Sequence, residues 1–270
     1  MTVRLMHVSD VHAGPPYDAR VAEIVLRDAH AYAPDAFVVS GDFVQRADFA
    51  DQWQTITAWL AQTPTPRIVV PGNHDVPLFN VWQRVCDPYR AYQTHISADL
   101  HPVLHLAGVS LFGINSAHGW TVDGGRVSVA QLTHLRAVTS TAPAGNRKVV
   151  VMHHHLVNPP GAGRRSRVAN ARHVAALFDE VGIDVVLSGH IHLSYVGHTR
   201  DVFPQLTHGS IICQAGTATS RRGKGREHYR FAYNTLEITT TQVTIRRHVY
   251  DATQHAFVQQ AMHVESFVMR

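Results

Sequence analysis

Six short runs rich in Val, Ile and Phe, at 3–8, 36–39, 67–70, 109–114, 148–152 and 184–187, recur along this chain, and amphipathic helical stretches near 18–32, 48–61, 78–92, 128–139 and 168–181 fall between many of them. Alternation of this kind restricts the fold to α/β layering, with helices outside a largely parallel sheet, because parallel neighbours need helical crossovers. Ser128 and Gln131 have the spacing of a capping box at the start of the fourth helical stretch. Trp53 and Trp59 fall on one apolar face of the second. After about residue 192 the texture changes: "YNTLEIT", "QVTIRRHVYD" and "HAFVQQ" follow one another without helices, which predicts antiparallel strands over about 229–260. No linker, repeat or low-complexity tract interrupts the chain, so residues 1–270 read as a single domain of two layered sheets.

The ends of these runs carry the chemistry. The first closes in "SDVH", giving Asp10 and His12; the second in "SGDF", giving Asp42; the third in "GNHD", giving Asn73, His74 and Asp75. Two later runs close in "VMHHHL", with His153 to His155, and "SGHIH", with His190 and His192. A buried polar group without a partner costs on the order of 1 to 3 kcal/mol, so these tips need something to pair with. Strand ends in α/β sheets share one crevice, where separated segments converge. Side chains alternate along a strand with period 2, so the Asp-x-His and His-x-His pairs are expected on one side of the pleat. Gly41, Gly72 and Gly189 flank these candidates, where a missing Cβ lets the backbone approach closely. Carboxylates, an amide and imidazoles together suit Mn, Fe, Co, Ni or Zn. Seven such ligands exceed one tetrahedral site and match two ions, roughly 3.5 to 4 Å apart, that share a carboxylate.

The ordered series D-x-H, G-D, G-N-H-D, H and G-H-x-H, from Asp10 to His192, resembles the calcineurin-like metallophosphoesterase superfamily. That resemblance implies a layered α/β/β/α sandwich with mixed sheets and two divalent or mixed-valence transition metal ions. By position, Asp10, His12 and His192 resemble the ligands of a first metal, and Asn73, His153 and His190 those of a second, with Asp42 as the bridge. His74 resembles the family's residue beside the substrate, which stabilises or protonates it, and Asp75 would orient His74. The segments "HHHLVNPPG" and "LFGINSAHGWTVDGGRVSVAQLTHLRA" are similar to the bacterial cyclic-nucleotide (class III) phosphodiesterase branch, although Leu156 stands where proline commonly follows the histidines. The implied activity is hydrolysis of small phosphodiesters such as 3',5'-cyclic nucleotides. A metal-dependent nuclease or phosphomonoesterase is the alternative, and a non-enzymatic scaffold of the same fold the third.

With 21 histidines in the chain, no lone histidine argues for a site. His154 and His155 stay open, since strand alternation turns the residue after His153 away from it. Basic residues crowd two loops, Arg164, Arg165 and Arg167 in one and Arg221, Arg222, Lys224, Arg226 and Arg230 in the other, which suits phosphate-bearing partners, nucleic acid among them. The chain shows no recognisable nucleic-acid-binding module. Cys86 and Cys213 are too few for a disulfide framework and are expected to be packed, inert thiols of a cytoplasmic protein. No secretory signal pattern opens the sequence, and no apolar run approaches the roughly 20 residues that span a bilayer. A homo-oligomer is compatible with all of this.

Overall fold

In a computed structural model, which describes residues 1–160 and 167–268, the chain forms twelve strands and six α-helices. They run β1 (Val3–Val8), α1 (Ala19–Tyr32), β2 (Ala36–Val39), α2 (Ala50–Leu60), β3 (Arg67–Val69), α3 (Val81–Cys86), α4 (Arg90–His95), β4 (Val103–Leu106), β5 (Val109–Gly113), α5 (Val129–Thr139), β6 (Arg147–Val151), α6 (Ala171–Val181), β7 (Val185–Ser188), β8 (Tyr195–His198), β9 (Ile211–Gln214), β10 (Ala232–Ile238), β11 (Gln242–Asp251) and β12 (Ala256–Ser266). One sheet has the order β12-β11-β10-β1-β2-β3 and the other β4-β5-β6-β7-β9-β8.

Period-2 alternation builds the layers. Leu5, Val38 and Ile68 of the first sheet face inward with Leu111, Val149, Val185 and Ile211 of the second, all buried in one inter-sheet core. Their neighbours point the other way: Met6, Val8, Phe37 and Val39 pack with Val25, Trp53, Ile56 and Trp59 of α1 and α2. Phe112, Val150, Val186 and Ile212 do the same with Leu135 of α5 and Val174 and Phe178 of α6. Each sheet thus buries both faces, giving helices, sheet, sheet, helices. Trp53 and Trp59 share the buried face of α2, and their indole N–H groups donate to the carbonyls of Ala47 (2.8 Å) and Ala22 (3.1 Å). The Ser128–Gln131 capping box forms as its spacing predicts.

The sheets are mixed, as the resemblance implies, rather than largely parallel as the alternation alone predicts: β1, β2 and β3 run parallel, but β10 pairs antiparallel with β1 and leads into the β11–β12 meander. In the second sheet β5, β6, β7 and β9 are parallel, with antiparallel β4 and β8 at the edges. The helical stretch 78–92 splits into α3 and α4 at Asp87, which precedes Pro88 and takes φ −151°, outside the helical region. Cys213 is buried, where burial pushes its thiol up to about 12, but Cys86 is exposed at the end of α3 rather than packed. Arg164 and Arg165 lie outside the described residues; Arg167 is exposed.

Candidate metal centre

The parallel strands of both sheets end toward one another, and short backbone bonds tie their loops together. Asp10 N–H donates to the Gly41 carbonyl (3.0 Å), His12 N–H to that of Asp42 (2.9 Å) and Gly189 N–H to that of His153 (3.0 Å). Asp10, His12, His190 and His192 lie past the ends of β1 and β7, so strand alternation does not aim them. Left-handed turns do: φ is 55° at Asp10, 51° at His12, 55° at Asp42, 78° at His190 and 55° at His192. Non-glycine residues adopt such angles uncommonly, and they persist where the surroundings over-determine them. Here Thr217 Oγ1 donates to the Asp10 carbonyl and Thr219 Oγ1 to that of Val11, both at 2.7 Å. Five left-handed backbone positions that carry side chains into two adjoining clusters mark a site rather than a turn.

Asp10, His12, Asp42 and His192, all buried, bring donor atoms within 4.8 Å of one another. His12 Nε2 lies 3.0 Å from His192 Nε2, 3.7 Å from Asp10 Oδ1 and 3.6 Å from Asp42 Oδ2, while His192 Nε2 is 3.1 Å from Asp10 Oδ1. Asp10 Oδ1 is buried without a hydrogen-bond partner. Two imidazole nitrogens converging beside an orphan carboxylate oxygen is the donor chemistry of a cation site. His192 Nδ1 donates to the Arg222 carbonyl at 3.0 Å, which fixes the tautomer and frees Nε2.

A second cluster adjoins it. Asn73 Oδ1 lies 3.1 Å from His153 Nε2 and 3.0 Å from His190 Nδ1, and the Asn73 amide nitrogen donates to the Val122 carbonyl at 3.1 Å, which turns the oxygen inward. His153 Nδ1 donates to the Ser40 carbonyl at 2.8 Å, leaving Nε2 free. Asp42 faces both clusters, with Oδ1 3.3 Å from His153 Nε2 and Oδ2 on the His12 side. His154, expected to turn away from His153, instead groups with His153 and His190, each offering a donor atom within 4.8 Å of the others. Its Nδ1 pairs with Ser116 Oγ at 2.9 Å and its Nε2 has no partner. The cause is that the three histidines follow β6 in a loop, so no pleat separates neighbours. His155 pairs with Asn158 Oδ1 at 2.7 Å and stacks near the His190 ring.

The electrostatics suit ligation. Burial pushes His12 and His190 down to about 3, which keeps them neutral as metal ligands must be. Burial alone would raise Asp10 and Asp42, but adjacent imidazoles, His192 for Asp10 and His153 for Asp42, hold both well below the usual carboxylate range. Burial would also lower His153, yet the Asp42 charge and hydrogen bond lift it to about 9.

His74 stands at the edge of this centre, its ring 4.7 Å from that of His12. The expected contact from Asp75 is absent. The Asp75 carboxylate accepts from the amides of Phe43 (2.8 Å), Val44 (3.1 Å) and Gly72 (2.8 Å), tying the β2 and β3 loops together. The Gln45 carbonyl, 2.7 Å from His74 Nδ1, orients the imidazole in its place. His74 Nδ1 also lies 2.9 Å from Arg46 Nη1, and Arg222 Nη1 approaches Nε2 to 3.4 Å, so two guanidinium groups flank the ring. Burial first, and then Arg222, keep this ring below its ordinary pKa despite Asp42. A cavity of about 270 Å³ opens beside it, with Asn73, His74, Arg46, Arg84, Arg222 and Asp123 among its walls. Sequence reasoning missed Arg46 and Arg84. It assigned Arg222 to a surface loop, whereas its side chain turns inward and donates to Gln45 Oε1 at 2.5 Å. In the same stretch Arg221 pairs with Asp18 at 2.9 Å and Arg226 donates to the Ser194 carbonyl at 2.6 Å, while Arg230 is exposed.

Comparison with known proteins agrees with this geometry. The family model for calcineurin-like phosphoesterases matches residues 3–194. Among solved structures, the fold is similar to a purple acid phosphatase from yellow lupin (Lupinus luteus) seeds, with TM-score 0.72 and 11% identity over 98% of this chain and 54% of the other; the chain thus spans about half the length of that protein. It is also similar to a dimetal phosphatase from Danio rerio, with TM-score 0.70 and 12% identity over 98% and 99% of the two chains. GAP50, the anchor in the inner membrane complex of Plasmodium, shares the fold too, with TM-score 0.67 and 14% identity over 100% and 90%. No curated protein matches. At such identities likeness speaks for the fold alone, and the donor set filled from Asp10 to His192 is what separates an enzyme from a scaffold. No helix among the described residues is long and apolar enough to cross a membrane. The chain belongs to the calcineurin-like phosphoesterase family and is a metal-dependent phosphoester hydrolase.

Proposed function

We propose that this chain, as one domain over residues 1–270, is a cytoplasmic binuclear hydrolase of small phosphodiesters, a class that includes 3',5'-cyclic nucleotides. Asp10, His12 and His192 hold one cation, Asn73, His153 and His190 the other, and Asp42 is shared. The observation that supports this most is the Asp42 carboxylate, which turns one oxygen toward each histidine cluster. When bound, the two ions supply Lewis-acid charge against phosphoryl oxygens and acidify water. The chain's own residues do the rest. Carbonyls of Ser40 and Arg222 lock His153 and His192 in the tautomers that ligate. Arg46 and Arg222 bring positive charge to the cavity wall beside His74, where a phosphoryl group gains negative charge. His74, flanked by Arg46 and Arg222, stabilises or protonates the transferring group. The cavity volume, about 270 Å³, falls at the small end of ligand pockets, which favours a small ester over a polymer.

Turnover by the manganese-loaded protein of bis(p-nitrophenyl) phosphate, p-nitrophenyl phosphate, cyclic AMP and a phospholipid headgroup diester tests this reading. The diesters are expected to be hydrolysed faster than the monoester. Monoester turnover exceeding all diesters would make the chain a phosphomonoesterase. DNA or RNA cleavage that weakens steeply with salt would make it a nuclease.

A further inference from the structure

Seven large apolar side chains stand exposed on the segments that wall the His74 cavity: Phe49 (45%), Phe79 (64%), Val81 (64%), Trp82 (79%) and Val85 (43%), then Trp120 (78%) and Val122 (58%). Val122 is itself a wall residue, and Trp120 also lines a second cavity with Tyr89 and Leu100. Leu78, Arg84 and Val122 line the cavity, and each is within two residues of exposed members of the set. The two groups are fastened to each other: Arg84 donates to the carbonyls of Pro77 (2.5 Å) and Thr121, and a Cβ built at Gly119 would lie 1.9 Å from the Arg84 carbonyl oxygen. The Asp48 carboxylate accepts from the amides of Leu78 (2.7 Å), Phe79 (3.1 Å) and Asn80 (2.9 Å), holding Phe79 out beside Phe49 at a ring separation of 6.1 Å. The rim joins the metal centre directly, because the Val122 carbonyl accepts from Asn73. Isolated exposed apolar residues need no explanation, but seven on the segments that wall one charged cavity point to a binding surface.

Resting on the phosphodiesterase reading and narrowing it, we propose that this mouth holds an alkyl group of the substrate, so that the ester cleaved is amphiphilic: its phosphate goes to the arginine-lined cavity and its chain lies across Phe79, Trp82 and Trp120. Charge complementarity and continuity with the cavity both point to one molecule filling both surfaces. The rim exposes aliphatic and aromatic faces, and the side-chain amide of Asn80 is spent on Gln83 at the start of α3.

Titration calorimetry of the manganese-loaded protein with methylphosphonate, octylphosphonate and adenosine 5'-monophosphate tests the mouth without requiring turnover. A fully buried methylene is worth about fourfold in affinity, and contact on one side about twofold, so octyl is expected to bind about a hundredfold more tightly than methyl. Trp82→Ser combined with Trp120→Ser should cut that ratio to about tenfold and leave methylphosphonate within about twofold; Phe79→Ser is the second variant should the first fold poorly. Equal binding of methyl and octyl, or a ratio untouched in folded variants, overturns the proposal. So does a nucleotide that outbinds octylphosphonate and loses affinity in the same variants, which would make the rim a base-stacking face. Cosedimentation with anionic vesicles that the variants abolish, without any octyl preference, would make it a membrane-facing surface and overturn it too. Turnover of methyl and octyl p-nitrophenyl phosphates separates the two readings. Turnover without chain-length preference sinks the mouth alone, and an octyl affinity advantage without turnover sinks the hydrolase alone.

Discussion

Replacing Gly72 by alanine places a methyl carbon 2.2 Å from Asp42 Oδ1 and 2.4 Å from the Asp42 backbone nitrogen. Real Cβ atoms do not come within 3.0 Å of such neighbours, so the carboxylate must retreat by about 0.8 Å. That exceeds the roughly 0.5 Å within which a ligand constellation works. Neither side yields easily, since Oδ1 of Asp42 accepts from His74 N–H at 2.9 Å and Gly72 N–H is held by Asp75 at 2.8 Å. Displacing the carboxylate shared by both clusters should cost at least about 10²-fold in kcat/KM, in line with a misplacement of about 1 Å. Overpacking should cost about 1–3 kcal/mol of stability, a fall in Tm of roughly 2 to 10 °C. Gly124→Ala is the control, because its nearest neighbour would be 3.7 Å away, and it should behave as the parent protein. Elemental analysis, turnover of bis(p-nitrophenyl) phosphate and circular dichroism read the three effects. A Gly72→Ala protein with two metals and turnover within about twofold of the parent would refute the bridging geometry.

Asp42→Ala should lose metal stoichiometry and activity together, read by elemental analysis beside turnover; two metals with normal rate would remove the bridge. His153→Ala should weaken second-site binding more than His154→Ala in metal titrations, since the Ser40 carbonyl orients His153 toward Asn73; the reverse ranking would shift the ligand by one residue. His74→Ala should keep both metals and lose about 10²- to 10³-fold in kcat. A larger loss on alkyl than on nitrophenyl leaving groups would mark proton donation, and an equal loss would leave electrostatic stabilisation alone. For pH, His153 is raised from 6.5 to about 9 in the metal-free fold, so the pair with Asp42 stabilises fully below 6.5 and loses its contribution as pH rises through 9. Metal-free protein should therefore fall in Tm across that window, while second-site affinity for manganese rises with pH as the competing proton leaves; a flat affinity profile in calorimetric titrations would contradict this.

The centre was legible because each ligand pair sits just after an apolar run, and Asp10, His12, Asp42, Asn73, His153, His190 and His192 do converge. Why they converge was misread. Left-handed turns at Asp10, His12, His190 and His192 aim them, and nothing in "SDVH" or "SGHIH" states a φ angle. The reach of Asp75 depended on which of two loops its carboxylate would tie, a choice settled by amides of Phe43 and Val44 from another strand's end. Arg46, four residues after Asp42, gave a usable signal in "GDFVQR" that went unread; Arg84 and the Gln45 carbonyl gave none. The four-residue strands β4, β8 and β9 escaped although β2 and β7 are no longer than they; β4 and β8 are edge strands whose runs "VLHL" and "YVGH" are broken by His and Gly.

If two cations share Asp42, anomalous scattering from crystals of the manganese-loaded protein will show two peaks, one beside Asp10, His12 and His192 and one beside Asn73, His153 and His190, with the Asp42 carboxylate between them. A single peak, or a second peak that Asp42 does not touch, would contradict that sharing.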